Sequence, residues 1–458
     1  MLQLPPYVTT FMKAFQNAGY HIYVVGGTVR GLLMNRDILD WDFTTSATPE
    51  EIMKLFPHSF YNNSFGTVGI PIEANGTEMV FEVTTHRKEG DYSNARHPDS
   101  VEWADNVEDD LARRDFTINA IAFDGIDVTD PYGGQEAIEK KIIKAVGDAN
   151  VRFKEDALRL VRAIRQAAQL GFQIESDTLT SIQEHAKQIT NISGERIREE
   201  LFKLIASDNA ADGILLMREA GLLQYLLPEV EASFGVEQKS PERHHVYDVG
   251  THLVESLRHC PSSDVITRLA TLIHDIGKKE TYHKDPETQM ITFYNHEVVG
   301  EKQAKDIADR IKLSKKDAQK LIMLVRHHQF TVSEDQSDKA LRRFIRQIGV
   351  ENIDEMLALR TGDRLGSGAK ETSWRTELFK KRLTDVQNVP FSIHDLKITG
   401  NDVMKHLHIK PGPQIGKIMN ALFEMVDDEK VPNEKDALLE KLPTLLQCLS
   451  LDRDQGTQ

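Results

Sequence analysis

The chain has 458 residues, 40% of them hydrophobic and 28% charged, the make-up of a folded chain, and at roughly 100–200 residues per domain it is too long for one core. Fifty-six basic residues against 71 acidic ones give a net charge of −15, which argues against nucleic-acid binding through a diffuse cationic surface and leaves that task to local basic stripes. Cys260 and Cys448 are the only two cysteines, which excludes a disulfide scaffold or a thiolate zinc finger and fits a reducing cytoplasm. No run approaches the ~18 apolar residues of a membrane helix. The opening MLQLPPYVTTFMKAF lacks the charge pattern and cleavage site of a signal peptide, so a cytoplasmic protein without a membrane is expected.

In chain order, HIYVVGG (21–27) is an apolar run ending in a glycine pair, which predicts a strand and a turn. Thr48-Pro49-Glu50-Glu51 has a cap, a first-turn proline and first-turn acids, and predicts a helix start. GTVGIPIEA (66–74) alternates and holds a proline, as an edge strand or hairpin arm would, and TEMVFEVTT (77–85) predicts another strand. From about Val151 strand signals nearly vanish. EDALRLVRAIRQAAQLGF (155–172) places Leu158, Val161, Ile164, Ala168 and Leu170 at helical spacing, with Gly171 as a stop, and helical segments continue to the end.

The strongest chemical signal is VVGGTVRGLLMNRDILDWDFTTS (24–46). Gly26 and Gly27 let backbone N–H groups approach a phosphate, and Arg30 lies near a helix start that favours an anion. In Asp-Trp-Asp, alternation puts the carboxylates of Asp40 and Asp42 on one face and turns Trp41 and Phe43 inward. Such a pair repels itself unless cations neutralise it, and it suits two magnesium ions bridging a triphosphate and an attacking hydroxyl. Glu82 is a candidate third ligand or base, although a solvent-facing strand glutamate reads equally well. A glycine pair alone is usually a turn, and an exposed Asp-x-Asp usually a solvated loop; the order Gly-Gly, Arg, Asp-x-Asp within about twenty residues is what sets this segment apart.

These residues resemble the nucleotidyltransferase superfamily that includes DNA polymerase beta. More narrowly, RRDFTINAIAFD (113–124), DPYGGQEAI (130–138), RFKEDALRLVRAIR (152–165) and ERIREEL (195–201) are similar to bacterial class II tRNA nucleotidyltransferases (CCA-adding enzymes) and their poly(A) polymerase relatives. TGNDVMKHLHIKPGPQIGKIM (399–419) resembles the C-terminal part of some long members. The resemblance implies that Gly27, Arg30 and Arg114 bind triphosphate and sugar, with Asn119 suited to ribose hydroxyls. Asp156 and Arg159, three apart and so expected on one helix face, would act as a protein template for the base, and Arg162 and Arg165 match nucleotide-contacting positions. On pattern alone, an amphipathic helix with a cationic solvent face would read the same. The polar stretch THRKEGDYSNARHPDSVEW (85–103) looks like the family's flexible loop, and Gln166 stands where the family carries an aromatic packing residue.

A second set, HHVYDVGTHLVES (244–256), LATLIHDIGKK (269–279), FYNHEVVG (293–300), VRHHQF (325–330) and ALRTGDRLGSG (358–368), is similar to the HD phosphohydrolase superfamily. That resemblance implies His252, His274, Asp275 and Asp363 as ligands of a transition metal or magnesium, with His296 and His327 as candidates for a second ion.

The expected architecture is an α+β polymerase-beta-like head followed by all-α neck, HD and tail domains: residues 1–145, 146–235, 236–370 and 371–458. The implied activity is template-independent addition of CMP and AMP from CTP and ATP to the tRNA 3′ end, with two magnesium ions. Partners are tRNA and nucleotides, with no stable protein partner expected, and the basic stripe Lys370–Arg382 is a candidate RNA contact. Alternatives are A-adding, CC-adding or poly(A) polymerase activity of the same fold, an HD phosphohydrolase as the main activity, or a non-enzymatic RNA-binding protein.

Overall fold

The structure is a computed structural model. It describes residues 2–38, 40–61, 66–74, 76–89, 101–104, 106–238, 247–330, 337–368, 374–386, 393–428 and 430–451. They form two compact units: Met1–Arg326 with Thr361–Gly368, and His327–Arg360 with Ala369–Gln458.

The first unit begins with helix α1 (Pro6–Asn17) and a sheet built from β1 (Ile22–Val25), β2 (Asp42–Thr45), β3 (Phe60–Tyr61), β4 (Thr67–Ala74) and β5 (Thr77–Thr85). Strands β6 (Arg87–Glu89) and β7 (Val101–Trp103) form their own ladder, and β8 (Ala122–Phe123) and β9 (Val128–Thr129) complete the seven-stranded order β3-β4-β5-β2-β1-β8-β9. The proline of β4 marks a hairpin arm: Pro71 pairs with Val80 on β5, while β3 reaches only Val68 and Gly69 on the other side. β2 runs parallel to β5, with Asp42 opposite Glu82, and antiparallel to β1.

Between the strands lie α2 (Gly27–Leu33), directly after β1, and α3 (Pro49–Leu55), whose Thr48 and Glu51 form a reciprocal capping box. One face of the sheet is covered by aromatic packing, with Phe11 centred 4.9 Å from both Phe43 and Phe81. Helices α4 (Val107–Ala112) and α5 (Gly134–Glu139) close this part.

Helices α6 (Ala149–Glu155), α7 (Leu158–Leu170), α8 (Ser176–His185), α9 (Gly194–Ile205) and α10 (Ala210–Glu219) follow. α7 ends at Gly171, whose φ of 68° is the left-handed cap that glycine adopts without strain. Further on, helices Val249–Arg258, Val265–Ile273 and His296–Arg310 carry the histidine cluster.

In the second unit, residues 327–360 group with the C-terminal part. Phe330 packs 4.8 Å from Phe344 and 5.3 Å from Phe379, and Asp427 holds both Arg342 and Arg346. Leu396, Val403, Ile418, Leu422 and Leu438 form a separate apolar cluster in this unit. Residues 370–373 of the basic stripe lie outside the described residues; of the rest, Phe379 is buried and Arg382 pairs with Asp338. Among the described residues no helix is long and apolar enough to cross a membrane.

Candidate active site

The turn between β1 and α2 sets the site. Gly26 has φ 67° and ψ −132°, a region essentially closed to other residues, and a Cβ there would meet Arg114 Nη1 at 2.7 Å. Arg114 can therefore lie against the turn. A cavity of about 310 Å³ opens beside it, lined by Gly27, Thr28, Arg30, Gly31, Arg36, Asp37, Ile38, Asp40, Asp42 and Leu170. Both aspartates of the Asp-Trp-Asp segment reach this cavity, while Trp41 and Phe43 are buried in the aromatic core. Asp40 sits on a bend before β2 and is exposed; Asp42 opens β2 and is half-buried. Thr28 ties the segment together, its hydroxyl donating to the Asp40 carbonyl at 3.1 Å and accepting from the Asp42 N–H at 3.2 Å.

Burial pushes the Asp42 carboxyl up to about 6; Arg114 opposes this, and Glu82 and Asp40 add to it. Glu82 is exposed, in register with Asp42 on the adjoining strand. The group is thus a set of oxygen donors whose mutual repulsion a hard divalent cation relieves, and the residues fit magnesium. Arg30 lines the same cavity and is lowered to about 10 by burial, with Asp115 opposing and Arg165, Arg36 and Arg162 adding to the effect.

The remaining expected residues are placed by a polar network. Arg30 Nη1 donates to Asn119 Oδ1 and, at 3.4 Å, to Gln166 Oε1. Asn119 Nδ2 donates to Asp115 at 2.9 Å and to Gln166 at 3.0 Å. Burial would raise Asp115, but Arg162 and Asn119 hold it below the usual carboxylate range. Arg162 grips Asp115 through Nε at 2.9 Å and Nη2 at 2.6 Å, and Arg165 Nε reaches Glu200 at 2.5 Å. Gln166 is therefore no plain replacement for an aromatic packing residue, since its amide oxygen joins the network.

Asp156 and Arg159 do not share a helix face. Asp156 lies in extended conformation in the break between α6 and α7, where it accepts from the Leu158 N–H at 3.0 Å and from Arg196 at 2.7 Å. Arg159 instead donates to Glu155 at 2.5 Å and to the carbonyls of Arg152 and Arg113. The break places the two side chains against different partners. Glu155, four residues before Arg159, was missed, although that spacing is itself a signal. Thr28, Arg36, Asp37 and Arg196 were missed as well. Arg114 reaches Asp110 at 3.2 Å; burial would raise Asp110, but Arg113 and Arg114 hold it at about 2. Residues 90–100 of the expected flexible loop lie outside the described residues, and their flanks pair as β6 and β7.

The histidine set converges elsewhere in the first unit. His252 Nε2 and His274 Nε2 are 3.2 Å apart; Asp275 Oδ2 lies 3.4 and 3.3 Å from them, and Asp363 Oδ1 3.4 and 3.7 Å. The Nδ1–H of His274 donates to the Thr271 carbonyl and that of His296 to the Phe293 carbonyl, both at 2.8 Å, which turns each Nε2 inward. His296 Nε2 is 3.2 Å from Asp275 Oδ1, and Lys278 Nζ is 2.6 Å from Asp275 Oδ2. Burial would lower His274, but Asp275 and Asp363 raise it to about 10, so the cluster attracts positive charge. His252, His274 and Asp275 form a buried donor set, with Asp363 beside the two imidazoles, that fits a transition metal or magnesium. His327 belongs to the other unit.

Comparison with known proteins agrees with this geometry. Residues 22–144 match the poly A polymerase head domain, 171–234 the probable RNA and SrmB-binding site of polymerase A, and 282–442 a putative tRNA nucleotidyltransferase domain 2. The CCA-adding enzyme of Geobacillus thermodenitrificans is 46% identical over 217 residues, which is 47% of this chain and 53% of that one. The chain thus spans about half the length of that relative. The A-adding tRNA nucleotidyltransferase of Deinococcus radiodurans is 34% identical over 359 residues, 75% of this chain and 81% of the relative. The CCA-adding enzyme of Levilactobacillus brevis is 32% identical over 438 residues, 93% and 95% of the two chains. A crystal structure of the Bacillus stearothermophilus CCA-adding enzyme in complex with CTP superposes with a TM-score of 0.72 at 27% identity, covering 98% of this chain and all of that one. Fold and site define a polymerase-beta-like nucleotidyltransferase. The chain belongs to the tRNA nucleotidyltransferase family, among whose members are CCA-adding and A-adding enzymes.

Proposed function

We propose that the chain adds CMP and AMP, from CTP and ATP, to the 3′ end of tRNA without a nucleic-acid template, in the cytoplasm. One observation carries this reading: Asp40 and Asp42 open onto one cavity with Gly27 and Arg30. The primer's 3′ oxygen bonds to the α-phosphorus, the bond from that phosphorus to the β-phosphate bridging oxygen breaks, and pyrophosphate leaves while the hydroxyl proton passes to solvent. Asp40 and Asp42 would hold magnesium, whose chemistry when bound is to acidify the hydroxyl and neutralise the departing pyrophosphate. Gly27, Arg30 and Arg114 receive the triphosphate. Base selection is assigned to Asp156 and Arg159, which Arg196 and Glu155 hold from different sides, so reading the base requires each to exchange a present partner for it. The four-part order of head, neck, HD and tail remains our proposal for how these tasks run along the chain, with the tRNA gripped by shape and backbone.

A second reading, a metal-dependent phosphohydrolase activity, is favoured by the convergence of His252, His274, Asp275 and Asp363. A single experiment separates the two readings. tRNA ending before CCA is incubated with CTP and ATP, singly and together, and the extended ends are sequenced. Asp40→Ala and Asp42→Ala are expected to lower extension about 1,000-fold or more, as loss of a metal-held transition state does, while His274→Ala leaves extension intact and lowers stoichiometric manganese binding. Extension that survives both aspartate substitutions would refute nucleotidyl transfer at this cavity. Extension with ATP alone would assign A-addition instead, the activity for which the Deinococcus relative is named.

A further inference from the structure

The buried side of α7 is apolar at Leu160, Val161, Ala163, Ile164 and Ala167, yet Gln166 among them is only 2% exposed. An amide on such a face is stable only when its polar atoms are bonded. Its oxygen accepts from Asn119 Nδ2 at 3.0 Å and from Arg30 Nη1 at 3.4 Å. Asn119 Oδ1 accepts from the same Nη1, so one corner of the Arg30 guanidinium is held by two neutral oxygens. The other corner lies beside Gly27, with Arg30 Nη2 3.5 Å from where a Cβ there would be, and both residues line the cavity. Burial and the like charges of Arg165, Arg36 and Arg162 oppose the Arg30 cation and Asp115 favours it, while no carboxylate hydrogen-bonds the guanidinium in the network of Asn119 and Gln166, so its orientation rests on those two amides. A carboxylate in place of Gln166 would anchor it equally well but would cancel the charge offered to a phosphate.

We propose that Gln166 is a positioning residue of the nucleotide site: its neutral amide oxygen fixes the Arg30 fork toward the triphosphate without spending that arginine's charge, and it fastens the cavity to α7. This deepens the nucleotidyl-transfer reading and rests on it.

The test uses the full chain with magnesium. Equilibrium binding of CTP, ATP and the corresponding monophosphates is measured by calorimetry, beside kcat, the KM for triphosphate and the KM for tRNA. Gln166→Met, close in shape but lacking the acceptor, is expected to weaken triphosphate binding about tenfold, the worth of one charge-assisted hydrogen bond, with monophosphate binding and the KM for tRNA within twofold. Gln166→Glu, which keeps the acceptor geometry, is expected to show the same selective loss, and it carries the test should the methionine variant not fold. A purely structural role would instead lower the melting temperature and impair all five readouts together, which overturns the proposal, as does triphosphate binding within twofold of wild type in either variant. Wild-type protein that binds triphosphate but extends no tRNA refutes the transfer reading alone. Wild-type protein that binds no triphosphate refutes both.

Discussion

Thr28 offers the sharpest test of how the carboxylate pair is held. Its hydroxyl bridges the Asp40 carbonyl and the Asp42 N–H, at 3.1 and 3.2 Å, and the side chain is 3% exposed in the first turn of α2. Thr28→Val keeps the shape and removes both bonds, leaving a donor and an acceptor of the Asp-Trp-Asp backbone unpaired. At about 0.5–1.5 kcal/mol for each bond, the loss of stability is about 1–3 kcal/mol. The catalytic loss is expected to be larger in proportion, because a reacting group displaced by about 1 Å costs on the order of 100-fold in rate. We expect kcat in single-turnover tRNA extension to fall about 10- to 100-fold, while the KM for triphosphate, which the proposed site assigns to Arg30 and Arg114, moves less than about threefold. Thr28→Ser retains the hydroxyl and should restore kcat to within about threefold of wild type. A valine variant with unchanged kcat, or a serine variant as slow as valine, would refute the clamp.

Two further outcomes follow from the same part of the fold. His86 is 1% exposed beside Thr44 Oγ1, and burial lowers it to about 4, with Asp110 opposing. The unfolded chain takes up a proton near pH 6.5 while the fold does not, so this contribution is complete above about pH 6.5 and is lost as pH falls towards 4, in all about 3 kcal/mol. Urea titrations at pH 7 and 4.5 should therefore show a smaller acid loss in His86→Gln than in wild type; equal losses would contradict this account. Gly26→Ala forces a side chain into a strained φ and against Arg114 Nη1 at 2.7 Å, and should cost about 1–3 kcal/mol in thermal unfolding while raising the KM for triphosphate. An alanine variant with wild-type melting and KM would show that Arg114 does not depend on the bare turn.

What could be read from the sequence was what local chemistry decides. Thr48-Pro49-Glu50-Glu51 caps a helix wherever it occurs, and Gly171 ends α7 because a left-handed residue follows the last turn. The alternation that buries Trp41 and Phe43 and sends Asp40 and Asp42 to the cavity is a property of extended backbone. What could not be read was the choice of partner across the fold. Arg162 and Arg165 look like one cationic stripe, but Asp115 and Glu200 claim them from 47 and 35 positions away. Asp156 and Arg159 look like a pair until the break between α6 and α7 is known. Gln166 reads as a lost aromatic until Asn119 is brought beside it by the β8 side of the sheet. Periodicity reports which face is buried, and it carries no information on what the facing element will be.

The distribution of charge shows how a chain with a net charge of −15 would hold the triphosphate proposed above. Several arginines of the surrounding network are already matched: Arg113 and Arg114 to Asp110, Arg159 to Glu155, Arg162 to Asp115 and Arg165 to Glu200. Each pair fixes the frame and adds little net field. Arg30 differs in what touches it: the atoms that hold it are the amide oxygens of Asn119 and Gln166, and the Asp115 carboxylate acts on it through space while its oxygens accept from Arg162 and Asn119. Asp42 is the opposite case, a half-buried carboxylate that burial, Glu82 and Asp40 all drive towards protonation. The cavity lining therefore offers both positive charge, at Arg30, and negative charge, at Asp40 and Asp42. A triphosphate with its divalent counter-ions meets both demands at once, and neither an anion nor a cation alone does so.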